Sequence, residues 1–379
     1  MTVEAAVHTV GDTALESPRR QRRARPRRPW LRRLAIGVTL VVVAVAGSLV
    51  WIDRQHDFAV DLEEVSFTFD GDTIVGTLAV PRSGGPHGLV VFVHGDGPAN
   101  ADRDGGYLPL WEAFARAGYA SLSWDSPGVG RSGGDWLDFS MSARADLAVA
   151  AIDSIVGRDD IDGDNVGLWG ASQAGWVMPK IANQYPSTRF MIAVSPAINW
   201  LDQGRYNLRS EMQAEGASQA EIAEAIEYSD SVRVLLRRGA PYQDYLALAT
   251  DPALNRGSRG EPMTEPRWRF VSANFESDAR ADLDALAERS DISVLLQVAG
   301  QDINVDVADT QEVYQRILGE RVDVRSYPDA DHSMVRSDLA DKGLRFTLTW
   351  LFAPTTVYAD GYLAESEAFL TAINNERGN

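Results

Sequence analysis

No cysteine occurs in the 379 residues. That absence removes thiol nucleophiles, disulfides, thiolate-bound zinc and iron–sulfur clusters together, and it leaves the redox compartment open. Histidine is scarce too, with five residues, His8, His56, His87, His94 and His332. Few positions can therefore supply a general base. The glycine-rich stretch DSPGVGRSGG (125–134) lacks the GK[ST] ending of a phosphate-binding loop and is not followed directly by a helix. RDDIDGDN (158–165) has the outline of a calcium loop, but its glycine would put Arg158 at the first ligand position and Trp169 where the closing glutamate belongs. It reads as an Asp/Gly turn before a strand. No cofactor and no metal is expected.

Acidic residues are also missing from a long early stretch, residues 17–52. Residues 1–33 hold nine arginines against Glu4, Asp12 and Glu16, a net +6, which leaves −24 of the overall −18 for the rest. An acidic body of that size argues against nucleic acid as a partner, because phosphate binding needs a basic footprint on the folded domain. The arginines instead precede one long uncharged run, Leu34–Ile52. As a helix it would reach roughly 28 Å, close to the thickness of a hydrocarbon core. The positive flank predicts a cytoplasmic N-terminus and a folded part outside. Trp30 and Trp51 stand where interfacial aromatics belong. Residues 1–33 read as a disordered basic tail and 34–52 as a transmembrane signal anchor. The alternative is secretion after cleavage near Ala44-Val45-Ala46, although apolar residues continue beyond it to Ile52.

From residue 60 onward strand-like and helix-like segments alternate. Val65, Phe67 and Phe69, the turn Asp70-Gly71-Asp72 and then TIVGTLAV form a hairpin signal. LVVFV (89–93) is a continuous apolar run, as in a strand buried on both faces. A helix around Trp111 and Phe114, the strand YASLSW, an Ala-rich helix near 142–156, the strand VGLW and a helix from Ser172 follow. MIAVS, VLLQVA and VDVRSY add three strands. Such alternation predicts an α/β fold, a mostly parallel, doubly wound sheet entered through an antiparallel hairpin. Core segments are expected at 60–197 and 291–379. Residues 198–290 form an insertion, helical at SQAEIAEAIEYSDSVRVLLRRG with a Ser218/Glu221 capping box, and read as a lid over the sheet or as an insertion packed elsewhere.

Chemistry centres on VGLWGASQAGWVMPK (166–180), where Ser172 sits between a strand and a helix. Such a turn lifts a hydroxyl above the sheet's carboxyl edge, at a helix N-terminus whose N–H groups can stabilise an oxyanion. The positions two before and two after must be small, and here they are Gly170 and Ala174. By itself Ser172 reads equally as a helix N-cap. A nucleophilic serine needs a base, and only His94 and His332 follow strands. His94, in FVHGDGPANADRDG, belongs to a loop suited to offering backbone N–H groups, whereas His332, in YPDADHSM, lies in the loop after the last strand. Asp302, just past VLLQVA, is the acid candidate, with Asp306 and Asp309 as neighbours more suited to a helix start. Asp329 and Asp331 lie too close in sequence to His332 to reach its far nitrogen easily.

The stretches VVFVHGDGPANADRDG, SWDSPGVGRSGG, VGLWGASQAGW, and VAGQD with DADH together resemble the α/β-hydrolase superfamily, and within it bacterial serine esterases with an HGSGP-DRD type loop. The chain order Ser172, Asp302, His332 matches that superfamily. The departures are Ala174 in place of the second elbow glycine and Asp96 where the loop often has a small polar residue. The resemblance implies backbone oxyanion donors at Asp96 and Gln173, and an acyl-enzyme on Ser172 formed from a small or lipid-like ester. Peptidase, thioesterase and acyltransferase chemistry on the same residues, and a non-catalytic binding domain on this scaffold, are the alternatives.

Overall fold

The computed structural model describes residues 29–289, 291–341 and 343–378, so the expected disordered tail falls almost wholly outside the described residues. The chain divides into two units, residues 1–51 and 52–379. In the first, the described residues belong to one helix, Pro29–Gln55, whose last turn falls in the second. Its stretch Ile36–Gln55, mean hydropathy 2.2, is long and apolar enough to cross a membrane by length and composition.

In the second unit eight strands form one sheet: β1 (Val60–Phe69), β2 (Asp72–Pro81), β3 (His87–Val93), β4 (Tyr119–Trp124), β5 (Ile161–Ala171), β6 (Thr188–Val194), β7 (Ser293–Ala299) and β8 (Val322–Tyr327). Their order is β1-β2-β4-β3-β5-β6-β7-β8. The β1–β2 hairpin closes through Asp70 and Gly71, both at positive φ (50° and 88°), the turn whose twist matches the flanking strands. β2 pairs antiparallel with β4, and every pair from β4 through β3 to β8 is parallel.

The unbroken apolar run of β3 has a direct cause. Leu89, Val91 and Val93 face a core with helices Met141–Ile155, Met178–Gln184 and Val307–Leu318, whereas Val90 and Phe92 face a core with Leu108–Arg116 and Tyr362–Gly378. Helices cover both faces, so both sets of alternating side chains must be apolar. Each fully buried Val, Leu or Phe stabilises the sheet by about 1.5–3 kcal/mol before entropy is counted.

Five helices lie between β6 and β7: Trp200–Ala214, Gln219–Arg237, Tyr242–Thr250, Glu265–Asn274 and Arg280–Ala287. The Ser218/Glu221 capping box forms as expected. The last of the five is tied to the sheet-flanking helices by Lys180–Asp282 (2.6 Å) and Arg280–Asp309 (3.7 Å), so it acts as the crossover helix that a parallel β6–β7 connection needs. One expected helix is broken. The segment from Ser172 begins as a tight 3-10 turn, Ser172–Trp176, and the α-helix starts only at Met178. Pro179, which has no N–H to give, fits the first turn of the new helix but not the interior of a longer one.

Candidate active site

The strand register brings the site together. β3 and β5 are neighbours with Val93 opposite Gly170, so Gly95 and Ser172, each two residues further on, meet past the carboxyl ends of the strands. A Cβ placed on Gly95 would lie 3.3 Å from the Ala171 carbonyl oxygen, a tight contact, and 3.5 Å from Ser172 Cβ, an ordinary one, so the loop passes directly against the turn. Likewise β7 and β8 are neighbours with Ala299 opposite Tyr327. The loops beyond are tied by Gly300 N–H to Tyr327 O (2.8 Å) and Gln301 N–H to Ala330 O (2.9 Å). Asp302 and His332 come from these two loops.

Ser172 adopts φ of 58°, a left-handed conformation that an L-residue with a Cβ rarely takes. The turn holds it there: the Ser172 carbonyl accepts from Ala197 N–H (2.9 Å), just past β6. Gly170 is equally constrained. A Cβ there would fall 2.6 Å from Ala174 Cβ and 2.9 Å from Met178 Sδ. The methyl of Ala174 is thus accommodated because Gly170 has none, and Ala174 is fully buried against it.

Asp302 meets His332: Nδ1 lies 2.8 Å from Asp302 Oδ2, and the carboxylate is buried. Its other oxygen accepts from Asn304 N–H (2.8 Å) and Val305 N–H (2.9 Å). A carboxylate so placed takes the proton of Nδ1–H, which leaves a lone pair on Nε2. Asp306 caps helix Val307–Leu318 through Ala308 and Asp309 N–H, and Asp331 braces its own loop through Ser333 and Val335 N–H. Among the described residues no hydrogen bond joins Ser172 Oγ to His332. Bonds of this kind are often long in unliganded enzymes and tighten in the substrate complex.

His94 is buried and serves the loop. Its Nε2–H donates to Trp124 O (2.6 Å), so Nδ1 accepts from Tyr107 O–H (3.1 Å). Burial, reinforced by the positive charges of Arg144 and Arg103 and opposed by the Trp124 bond, lowers its pKa to about 4 from 6.5. An imidazole neutral when folded and protonated when unfolded makes stability fall as pH drops from about 6.5 to about 4, by about 3 kcal/mol in all. We expect the urea midpoint of the wild type to fall across that range, and His94→Gln, less stable at pH 7, to show a flatter profile.

Asp96 and Gln173, expected as backbone donors, are also joined through their side chains. Gln173 Nε2–H donates to Asp96 Oδ1 (3.0 Å), and Arg267 approaches both Asp96 oxygens (3.1 and 2.8 Å). Arg144 donates to Gln173 Oε1, to His94 O (2.5 Å) and to Gly95 O (3.3 Å). Burial opposes the charge on Asp96, yet the hydrogen bonds and charge of Arg267, with Gln173 and Arg144, hold its carboxyl below the usual range. Burial lowers Arg144 to about 10, against the pull of Asp96 and Tyr107, so it stays charged at neutral pH. The Asp96 N–H donates no hydrogen bond among the described residues, and Gln173 lies in the first turn of the 3-10 segment, where N–H groups have no intrahelical acceptor. The unusual carboxylate of the loop is thereby turned into a charged network, with its N–H left unspent.

Arg144 and Arg267 escape a reading of sequence for catalytic motifs. Arg144 did carry a signal, because it falls on the stripe of Met141, Ala145 and Ala148 along its helix, where an arginine must find acceptors. Arg267, from helix Glu265–Asn274, carried none; its guanidinium lies over the rings of Phe270 (4.9 Å) and Trp136 (5.5 Å).

An eight-stranded, mostly parallel sheet with helices on both faces and a strand-to-helix serine turn at its carboxyl edge defines an α/β hydrolase. More specifically, residues 84–338 match the family described as serine aminopeptidase, S33, and the chain belongs to it. No curated protein matches the sequence. The fold recurs in the ferulic acid-bound Est1E from Butyrivibrio proteoclasticus, at 15% identity and a TM-score of 0.50 over 82% of this chain and 98% of that one. It recurs in a membrane phospholipase A described as a bacterial virulence factor, at 16% identity and a TM-score of 0.50 over 91% and 99%. A Pyrococcus furiosus esterase, PF2001, aligns at 16% identity and a TM-score of 0.49 over 78% and 89%.

Proposed function

We propose that this α/β hydrolase is a membrane-anchored serine esterase that works through an acyl-enzyme on Ser172. The observation that carries the reading is the strained Ser172 turn, packed against the Gly95 loop at the same sheet edge that holds the Asp302–His332 pair. Ser172 Oγ attacks the ester carbonyl while His332 Nε2 takes its proton. Asp302 keeps the imidazole in the required tautomer and stabilises the imidazolium. The N–H groups of Asp96 and Gln173 receive the developing oxyanion, and their side-chain network holds them in place before substrate arrives. His332 then gives its proton to the departing alcohol, and water, deprotonated by the same histidine, releases the acid.

In this reading the helices between residues 200 and 274 are a lid, and Arg267 fastens it to the oxyanion loop through Asp96. Leu34–Ile52 is the anchor, with the basic tail cytoplasmic and the hydrolase outside; cleavage after Ala46 would release the same unit. A second reading, removal of an N-terminal amino acid, is favoured by the family's description.

A fluorophosphonate probe is expected to label the protein covalently, and short-chain aryl esters to be hydrolysed faster than aminoacyl arylamides. Labelling absent from the folded wild type would sink the serine mechanism. Labelling with the opposite substrate preference would turn the assignment to the peptidase.

A further inference from the structure

Helix Leu344–Phe352, LRFTLTWLF, is apolar on two sides, one packed inward and one exposed. Phe346 and Trp350 pack inward against Val335, Leu339 and Val357. Leu344, Leu348, Leu351 and Phe352 are exposed, at 75%, 46%, 38% and 36%. At 3.6 residues per turn these four share one arc, bordered by Arg345 and Thr347, which are exposed too. Beyond residue 55, no other element among the described residues exposes more than one large apolar side chain. Single exposed apolar residues are ordinary, but a contiguous set marks an interaction surface.

The place of this helix along the chain points to its occupant. Gln55 is the last residue of the long apolar helix and His56 is the next. The His56 Nε2–H lies 3.1 Å from Trp350 O and 3.2 Å from Leu351 O, and its ring meets the Trp350 ring edge-on at 6.1 Å. Four residues of chain separate Ile52 from His56, a reach of about 14 Å even when fully extended. With the apolar run ending at the bilayer surface, this tether keeps the carboxyl end of Leu344–Phe352 within reach of that surface. A second copy of the chain fits less well, because a nine-residue helix is only about 14 Å long and falls far short of the roughly 800 Å² per partner of a stable dimer.

We propose that Leu344, Leu348 and Leu351 form a second membrane contact, inserted into the bilayer interface near the point where the chain leaves it. This rests on the anchor reading above. Short amphipathic helices bind membranes in this way, with the apolar face at the boundary between headgroups and acyl chains. The contact also lies one loop from the candidate site. The segment that passes Ser172 at Gly95 runs on to Gly105, where a Cβ would touch Trp350 at 3.5 Å, and Gly106 O accepts from Tyr358 O–H.

The absence of cysteine makes the test direct. Single cysteines replace Val42, Ala223, Leu348 or Leu351 in the full chain, are labelled with bimane, and are reconstituted in phosphatidylcholine and phosphatidylglycerol vesicles with doxyl-lipid quenchers at a deep acyl position, which reports Val42, and at a shallow one, which reports the helix positions. Variants whose thermal melts match the parent are compared. Quenching of the Leu348→Cys and Leu351→Cys labels by at least about threefold more than the Ala223→Cys label is the expected result for an interfacial helix. If Val42→Cys is quenched but the two helix positions behave like Ala223→Cys, the second contact is overturned and the anchor stands. If Val42→Cys escapes quenching, the anchor reading fails and the contact fails with it. A shift at Leu348→Cys that ignores doxyl lipid and grows with protein-to-lipid ratio assigns the face to a second copy, and overturns the lipid assignment.

Discussion

Ser172→Gly and Ser172→Ala are both expected to lose fluorophosphonate labelling and to lower ester turnover by roughly 10⁶-fold, the scale of removing a nucleophile from a working triad. Their stabilities should nevertheless differ, and in an unusual direction. In most positions glycine is the less stable of the two, by about 0.5–1 kcal/mol, because it surrenders more backbone freedom on folding. Residue 172 has φ of 58°, where any Cβ crowds the backbone. Alanine keeps that strain and glycine removes it, so Ser172→Gly should be the more stable variant by about 1 kcal/mol. Chemical denaturation of both variants measures the difference. A glycine variant less stable than alanine would mean that the turn is not strained as described, and activity retained by either would remove Ser172 from the chemistry.

Asp302→Asn is expected to lower kcat by about 10⁴-fold with KM little changed. The cause is a tautomer. Asp302 Oδ1 is held by Asn304 and Val305 N–H, so an asparagine would keep its carbonyl oxygen there and turn its amide N–H₂ toward His332 Nδ1. The imidazole proton then moves to Nε2, and the lone pair that the proposed mechanism needs there is lost. The fold should survive, since both backbone donors keep an acceptor. Asp302→Ala should behave differently: it strands the buried Val305 N–H, at a cost of about 1–3 kcal/mol, and leaves the part-buried Asn304 N–H without its acceptor. A drop in kcat for asparagine without a loss of melting temperature, together with a loss of both for alanine, separates orientation of His332 from support of the loop. Equal destabilisation by the two variants would leave Asp302 a structural residue only.

The elements most readable in the sequence were those set by local pattern. The period of two in β1 and β2, the unbroken apolar run of β3, and the Ser218/Glu221 cap all form where the spacing puts them. The helix expected from Ser172 does not run straight on, because Pro179 and the packing of Gly175 against Ala197 divide it. Those constraints combine a residue visible in the sequence with a contact supplied by a distant loop.

The sequence by itself determined the class of fold, the one apolar run able to span a membrane, and the short inventory from which a base and an acid had to come. Each depends on residue type and short-range spacing, which the chain carries without folding. Only the tertiary structure decided that Asp302, and not Asp306 or Asp331, meets His332. It also decided that Asp96 is neutralised by Arg267 from a helix 171 residues away, and that Leu344–Phe352 leaves three leucines exposed while Phe346 and Trp350 pack inward. These outcomes follow from parallel pairing, which aligns the carboxyl ends of strands far apart in sequence, and from the orientation in which each helix docks. Neither is encoded in any one segment.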